Sequence, residues 1–263
     1  EEGVAMAAGT METKKANRKF RYGMLIDLDA CTGCGACMIA CAVENNVAPA
    51  RETVNERTSI TPMRVFKVND PAPMPARKTV FAPMMCQQCD EPPCEHVCPQ
   101  QAVELDSRTG IVTQMPQRCF GCRYCMAACP YHARYFNWFD PSWPEGMEQT
   151  LNPAVAPKMR GVVEKCNLCH GRFHQAQDKA ALEGAETIAY TPACAEACPV
   201  QAIRIGDLND PDDPIQVELN KPETFQFLAK LGTKPKIFYK SRHQWVRGLA
   251  GRAAGDAAQR RAI

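Results

Sequence analysis

The sixteen cysteines of this 263-residue chain fall into four groups of four, and none is left over. The first group is Cys31, Cys34, Cys37 and Cys41 in C-T-G-C-G-A-C-M-I-A-C. The second is Cys86, Cys89, Cys94 and Cys98 in C-Q-Q-C-D-E-P-P-C-E-H-V-C-P. The third is Cys119, Cys122, Cys125 and Cys129 in C-F-G-C-R-Y-C-M-A-A-C-P. The fourth is split between Cys166 and Cys169 and, further on, Cys194 and Cys198 before Pro199. Spacing this tight does not suit independent disulfide staples. Structural zinc is satisfied by two C-x2-C pairs or a Cys/His mixture. It gives no reason for three cysteines close together and a fourth just beyond, followed by proline.

A cubane [4Fe–4S] cluster does give that reason. It needs four thiolates, and the run C-x2-C-x2-C-x3-C-P supplies three to one cluster and the fourth to its neighbour. The third group matches this run in full. The first departs from it only at Ala42, which stands where proline would be. The second and fourth keep the C-x2-C opening and the C-x3-C-P close. The expectation is four [4Fe–4S] clusters ligated by all sixteen cysteines, and so a conductor of electrons. One local rival is haem, because Cys166-Asn167-Leu168-Cys169-His170 is a C-x-x-C-H string. Haem there would strand Cys194 and Cys198 and deprive the first group of the fourth ligands that sharing requires.

The formal charge is +2, with 31 basic and 29 acidic side chains. That count takes cysteine as neutral. Sixteen thiolates and four oxidised cores bring the loaded chain to about −6, which gives a nucleic-acid role nothing to work with. No run of eighteen apolar residues is present, so no transmembrane helix is expected. Twenty-one prolines and few aromatics suit loop-rich domains held by metal rather than by a large apolar core.

Along the chain, residues 1–19 read as a flexible arm ending in basic residues. Arg21 to Asp29 reads as a buried strand entering the first cysteine loop, and Met38 to Asn46 as a short helix. Met63 to Val68 reads as a strand, followed by a proline-rich connector. A-V-E-L-D-S-R-T-G-I-V-T-Q predicts a hairpin turning at Ser107 to Gly110. A-I-R-I-G-D-L-N-D-P-D-D-P-I-Q-V-E-L predicts a second one with a longer acidic turn. Cysteine loop, short helix and hairpin thus recur as an approximate repeat. From Lys230 onward the chain is strongly basic, which predicts a solvated tail or a docking surface for an acidic partner or anionic lipid.

No catalytic pair or nucleotide loop stands out, and His96, His132, His170, His174 and His243 are scattered. Arg118, Arg123 and Lys165 stand beside ligand cysteines, where a cation would favour the reduced state. Tyr124, Tyr131, Phe136, Trp138 and Phe139 are expected to keep water from the third group.

The strings R-Y-G-M-L-I-D-L-D-A-C-T-G-C-G-A-C, A-V-E-N-N, C-F-G-C-R-Y-C-M-A-A-C-P-Y-H-A-R-Y-F-N and E-K-C-N-L-C-H-G-R, in this order, carry a resemblance. The chain resembles the four-cluster ferredoxin-like subunit of the complex iron–sulfur molybdoenzyme family, of the polysulfide, dimethyl sulfoxide and menaquinone reductase types. The resemblance implies an α+β fold of two bacterial-ferredoxin-like βαββαβ-type domains, each holding two clusters, with loop-rich insertions and an extended C-terminal segment. The first domain would join 20–78 to 158–218, the second would occupy 79–157, and 219–263 would be a basic extension.

The family pairs the first group with the fourth and the second with the third. Carried over, one cluster takes Cys31, Cys34, Cys37 and Cys198, and its neighbour Cys41, Cys166, Cys169 and Cys194. A third takes Cys86, Cys89, Cys94 and Cys129, and the last Cys98, Cys119, Cys122 and Cys125. The resemblance further implies a non-catalytic electron-transfer subunit of an oxidoreductase hetero-oligomer. Its partners would be a large molybdopterin-oxidoreductase-like subunit or its metal-free relative, a polytopic quinone-interacting membrane subunit and a multihaem cytochrome c. The subunit would sit peripherally on the membrane, at the periplasmic face or, as the alternative, the cytoplasmic one. The competing functions are a soluble polyferredoxin shuttle and the equivalent subunit of a formate dehydrogenase or hydrogenase.

Overall fold

The computed structural model describes residues 19–49, 59–73, 75, 77–156, 158–185, 188 and 190–251. The expected arm, apart from Lys19, lies outside them. In chain order the elements are β1 (Tyr22–Asp27), α1 (Ala36–Glu44), β2 (Met63–Asn69), β3 (Thr79–Met85), α2 (Pro93–His96), β4 (Val103–Leu105), β5 (Val112–Gln114), α3 (Tyr124–Ala128) and β6 (Tyr135–Phe136). They continue with β7 (Val163–Glu164), α4 (His170–Glu183), α5 (Ala193–Glu196), β8 (Ile203–Asp207), α6 (Pro214–Leu219), β9 (Thr224–Phe225), β10 (Ile237–Lys240) and α7 (Gln244–Gly248).

The strand read from Arg21 to Asp29 is β1, an inner strand of the sheet β8-β1-β10-β9. Met24, Leu25 and Ile26 are fully buried, so both faces of β1 are covered. That explains a continuous apolar run rather than an alternating one. β8 pairs with β1 antiparallel and β10 pairs with it in parallel. The helix after the first cysteine loop is α1, and β2 pairs with β3 in an antiparallel two-stranded sheet.

The hairpin at Ser107 to Gly110 forms as β4–β5, with Val103 opposite Gln114 and Leu105 opposite Val112. Asp106 shapes its turn, accepting from Arg108 N and Thr109 Oγ1 at 2.8 Å each. The second expected hairpin does not form. β8 is followed by helix α6, because Asp213 caps the Ile215 N–H at 2.9 Å and Pro214 takes the first helical position. The ladder partner of β8 is β1, more than 170 residues earlier in the chain.

The C-terminal part is not an appended extension. β10 lies between β1 and β9, and Ile237 and Tyr239 are fully buried. Before it, residues 233–236 lie along the second cysteine loop: Asp90 N and Glu91 N donate to the Lys234 and Thr233 carbonyls, and Lys236 N donates to the Gln87 carbonyl. Of the six described basic residues from Lys230 onward, four form ion pairs within the chain. Lys234 meets Glu91, Lys236 meets Asp90, Lys240 meets Asp27 and Glu218, and Arg242 meets Asp29. Arg252, Arg260 and Arg261 lie outside the described residues.

Candidate metal centres

Each cysteine loop opens with C-x-x-C, and each puts its third residue in the left-handed region: Gly33 at φ 74°, Gln88 at 48°, Gly121 at 78° and Leu168 at 49°. Four loops of different sequence therefore share one backbone bend. Glycine is needed twice over at Gly33 and Gly121. A Cβ at Gly33 would stand 2.5 Å from the Phe81 ring, and one at Gly121 would run into the Gly161 carbonyl. Leu168 and Gln88 hold the bend at some backbone cost, and both are almost wholly buried.

The C-x3-C-P closes form a second repeated device. Cys98-Pro99-Gln100-Gln101-Ala102 and Cys198-Pro199-Val200-Gln201-Ala202 fold alike. Gln101 and Gln201 have φ of 47° and 50°, and the Ala102 and Ala202 N–H groups donate to Cys98 Sγ and Cys198 Sγ at 3.2 Å each. Val163 N reaches Cys119 Sγ and Leu168 N reaches Cys166 Sγ at 3.4 Å. Such donors favour the thiolate form.

These devices gather the cysteines into four rings. Cys41, Cys166, Cys169 and Cys194 border one cavity. Cys86, Cys89, Cys94 and Cys129 border another, and Cys98, Cys119, Cys122 and Cys125 a third. Cys34 and Cys198 lie close enough to Cys31 and Cys37 to help push those two thiols up, which gathers these four into one ring. We number the rings in the order Cys31, Cys41, Cys86 and Cys98. Rings one and two share α1 and the segment from Cys194 to Cys198. After burial, Cys86 is the largest influence that pushes the Cys166 thiol up, which joins ring two to ring three. Cys94 acts on Cys125, which joins ring three to ring four.

The rings suit a cluster. All sixteen thiols are free. Burial, reinforced by neighbouring thiols, pushes Cys37 up to about 11 and Cys89 and Cys166 up to about 12. Thiols so placed ionise at neutral pH only by exchanging protons for a cation. Among the described residues no carboxylate lines any of the three cavities, whereas Lys158 and Lys165, Arg134, and Arg123 do. That balance fits four thiolates around an iron–sulfur core. Among the described residues no three His, Cys, Asp or Glu side chains converge on a single ion. The C-x-x-C-H string is absorbed too: Cys166 and Cys169 face Cys41 and Cys194, and the His170 ring stacks on Phe173 with Nε2 3.4 Å from Asp106 Oδ2.

The neighbouring side chains divide differently from expectation. Lys165 is buried, and its Nζ donates to the carbonyls of Val112 and Cys166, the latter at 2.8 Å, and to Asn167 Oδ1 at 3.2 Å. Arg118 and Arg123 are exposed, and the Arg123 guanidinium lies over the Phe136 and Trp138 rings. Phe136 packs against the second core, but Tyr124 is 65% exposed and shields little. Sequence reasoning missed Gln88 and Arg134. Gln88 Nε2 donates to the Cys166 carbonyl, and its Oε1 accepts from Val112 N, both at 2.8 Å, which ties the second and fourth groups together. Arg134 was visible only as part of the quoted C-P-Y-H-A-R string, with no partner in sequence to mark it as buried.

Comparison with known proteins agrees with this geometry. A family model described as a 4Fe-4S dicluster domain matches residues 77–143, and one described as a 4Fe-4S binding domain matches 22–43. The chain is 51% identical to the menaquinone reductase iron–sulfur cluster-binding subunit of Nitratidesulfovibrio vulgaris, over 88% of this chain and 92% of that one. It is 37% identical to the Hdr-like menaquinol oxidoreductase iron–sulfur subunit 1 of Archaeoglobus fulgidus, over 86% and 85%. It is 32% identical to the arsenate respiratory reductase iron–sulfur subunit of a Shewanella species, over 83% and 95%.

Proposed function

From a chain that belongs to the family of iron–sulfur subunits of reductase complexes, carrying four [4Fe–4S] clusters and moving electrons rather than catalysing a reaction, we propose a four-station wire running from ring one to ring four. The ligand sets are the four rings. One end receives electrons from, or delivers them to, a molybdopterin-type large subunit or its metal-free relative. The other end serves a polytopic membrane subunit that handles quinone, with a multihaem cytochrome c as a further partner. The subunit sits peripherally on the membrane, at its periplasmic face. Among the described residues no helix is long and apolar enough to cross a membrane.

The observation that carries the reading is the unbroken succession of rings, joined at Cys37–Cys41, Cys86–Cys166 and Cys94–Cys125. When bound, the clusters supply one-electron storage. The chain's own part is to hold them in line, exclude water, and aim N–H groups and buried cations at sulfur. The 51% identity to a menaquinone reductase subunit favours a quinone at one end.

The test is affinity purification of the chain from its native host under anaerobic conditions. The expected result is about sixteen irons per chain, a large subunit and a polytopic membrane protein in the same particle, and reoxidation of the reduced particle by a menaquinone analogue. A chain that emerges alone and monomeric would be a soluble shuttle instead.

A further inference from the structure

Arg134 lies between Cys129 and β6 and is 4% exposed. Its Nη1 donates to Gln114 Oε1 at 2.8 Å, and Gln114 is buried as well. Its Nη2 has no hydrogen-bond partner among the described residues, and no carboxylate there forms an ion pair with it. Removing a guanidinium from water costs several kcal/mol unless something negative faces it. The groups that face it are cysteines. Burial opposes its charge, while Cys94, Cys125 and Cys86 act to favour it. Cys86 and Cys94 belong to ring three and Cys125 to ring four. Arg134 lines the ring-three cavity, and Gln114 lines that of ring four.

The other cations near sulfur are arranged differently. Lys158, beside Cys41, is held by Glu164 at 2.7 Å. Lys165 spends its donors on two carbonyls and an amide oxygen. Arg118 and Arg123 are open to solvent, where their charge is screened. Arg134 alone among these five combines deep burial with a neutral oxygen partner and side-chain donors turned toward the thiols of Cys94 and Cys125.

We propose that Arg134 is the shared counter-cation of rings three and four, and that its fixed charge raises the reduction potential of both centres. The proposal rests on the four-cluster reading. The step it acts on moves one electron and no proton, and the guanidinium stays charged throughout. An electron arriving beside a fixed cation in a dry pocket is stabilised, so the second half of the wire holds electrons more firmly than it would without Arg134. Gln114, a neutral acceptor, orients the guanidinium without cancelling it.

The test uses the full, cluster-loaded chain in its complex and reads iron content together with redox titrations followed by electron paramagnetic resonance. Centres are assigned by their loss in Cys122→Ala for ring four, Cys89→Ala for ring three and Cys198→Ala for ring one. In Arg134→Gln, iron should stay at the parent level, the midpoints of rings three and four should fall, and those of rings one and two should hold. Arg134→Lys should fall less. Gln114→Glu keeps the guanidinium but neutralises it, and should lower the same two midpoints. Unchanged midpoints in an iron-complete Arg134→Gln, or an equal fall at all four centres, would overturn the proposal. If Arg134→Gln loses iron, unchanged midpoints in both Arg134→Lys and Gln114→Glu would overturn it. Parent protein with fewer than four titrating centres would instead defeat the four-cluster reading, before any variant is made.

Discussion

Rings three and four are assembled from neighbouring chain, and rings one and two from its distant parts. The second and third cysteine groups lie within residues 86–129, joined by the β4–β5 hairpin, and one dicluster family model spans 77–143. Rings one and two need Cys31 to Cys41 on one side and Cys166 to Cys198 on the other. In that half a family model matches residues 22–43, which hold the first cysteine group alone. What closes the gap is tertiary: β8 and β10 on either side of β1, and α4 anchored by Phe173 against Tyr22 and Tyr190. The same chemistry is thus held once by local turns and once by a sheet, and the second arrangement depends on contacts that no short window of sequence contains.

The largest effect that could break this comparison is loss of a distant ligand. Cys198→Ala should remove about four irons, and the centre lost should be the one also lost in Cys37→Ala. Cys166→Ala should remove a different centre. In the local half, Cys98→Ala should remove the same centre as Cys122→Ala. Mössbauer and electron paramagnetic resonance spectra of the variants decide it. Identical losses in Cys198→Ala and Cys166→Ala would show that the distant half does not close as drawn.

Next is the joint between the halves. Lys236, just before β10, is fully buried, with Nζ 3.2 Å from Asp90 Oδ1, and Arg21 Nη2 reaches Asp90 Oδ2 at 2.6 Å. Asp90 belongs to the second cysteine loop, so this network pins the sheet of one half to the ligand loop of the other. Burial alone would push the Asp90 carboxyl up, but Lys236 and Arg21 outweigh it and hold it below the usual range. A depressed carboxylate contributes stability that is present above its unfolded pKa of about 3.9 and is lost as pH falls through the folded value. Asp90→Asn should cost about 3–5 kcal/mol, because Lys236 then stays buried without its carboxylate. The variant should bleach at lower temperature than the parent at pH 7, with the gap narrowing below pH 4. An unchanged bleaching temperature would mean that the joint is not held here.

How much of this was legible follows the same division. The cysteine runs, β1, α1 and the β4–β5 hairpin could be read because each is a local pattern of spacing, apolar run or turn residues. Residues 203–219 were read as a hairpin because I-Q-V-E-L alternates; the Asp213-Pro214 helix start was the overlooked signal. The basic C-terminal stretch was read as a tail because the charges of Lys236, Lys240 and Arg242 are visible in sequence, while the acids that answer them lie 22 to 213 residues away. Gln88, Arg134 and Lys165 show the same limit. A buried polar side chain looks like a surface one until the partners that satisfy it are known.

The smallest effects test the one place where the first and third cysteine runs differ in pattern, Ala42 against Pro130. After Cys129, Pro130 restricts the preceding residue to extended backbone, so α3 stops at Ala128 and Cys129 takes φ −80°, ψ 110°. After Cys41 nothing stops the helix, and α1 runs on to Glu44, so that Asn45 Nδ2 reaches back to Cys41 Sγ at 3.7 Å. Ala42→Pro would remove an N–H from the helix interior and press its ring on the Met38 carbonyl, at a cost of about 3 kcal/mol. It should lower the bleaching temperature and change the spectrum of ring two. Pro130→Ala has no ring to accommodate and leaves the His132 N–H to Cys129 carbonyl bond in place, so it should cost less than about 1 kcal/mol, mostly through a freer unfolded chain. If the two substitutions proved equally mild, the longer helix beside ring two would be incidental. A large cost at Ala42 and a small one at Pro130 would mean that the distant half relies on that extra helical turn to hold its ligand where the local half needs only a proline.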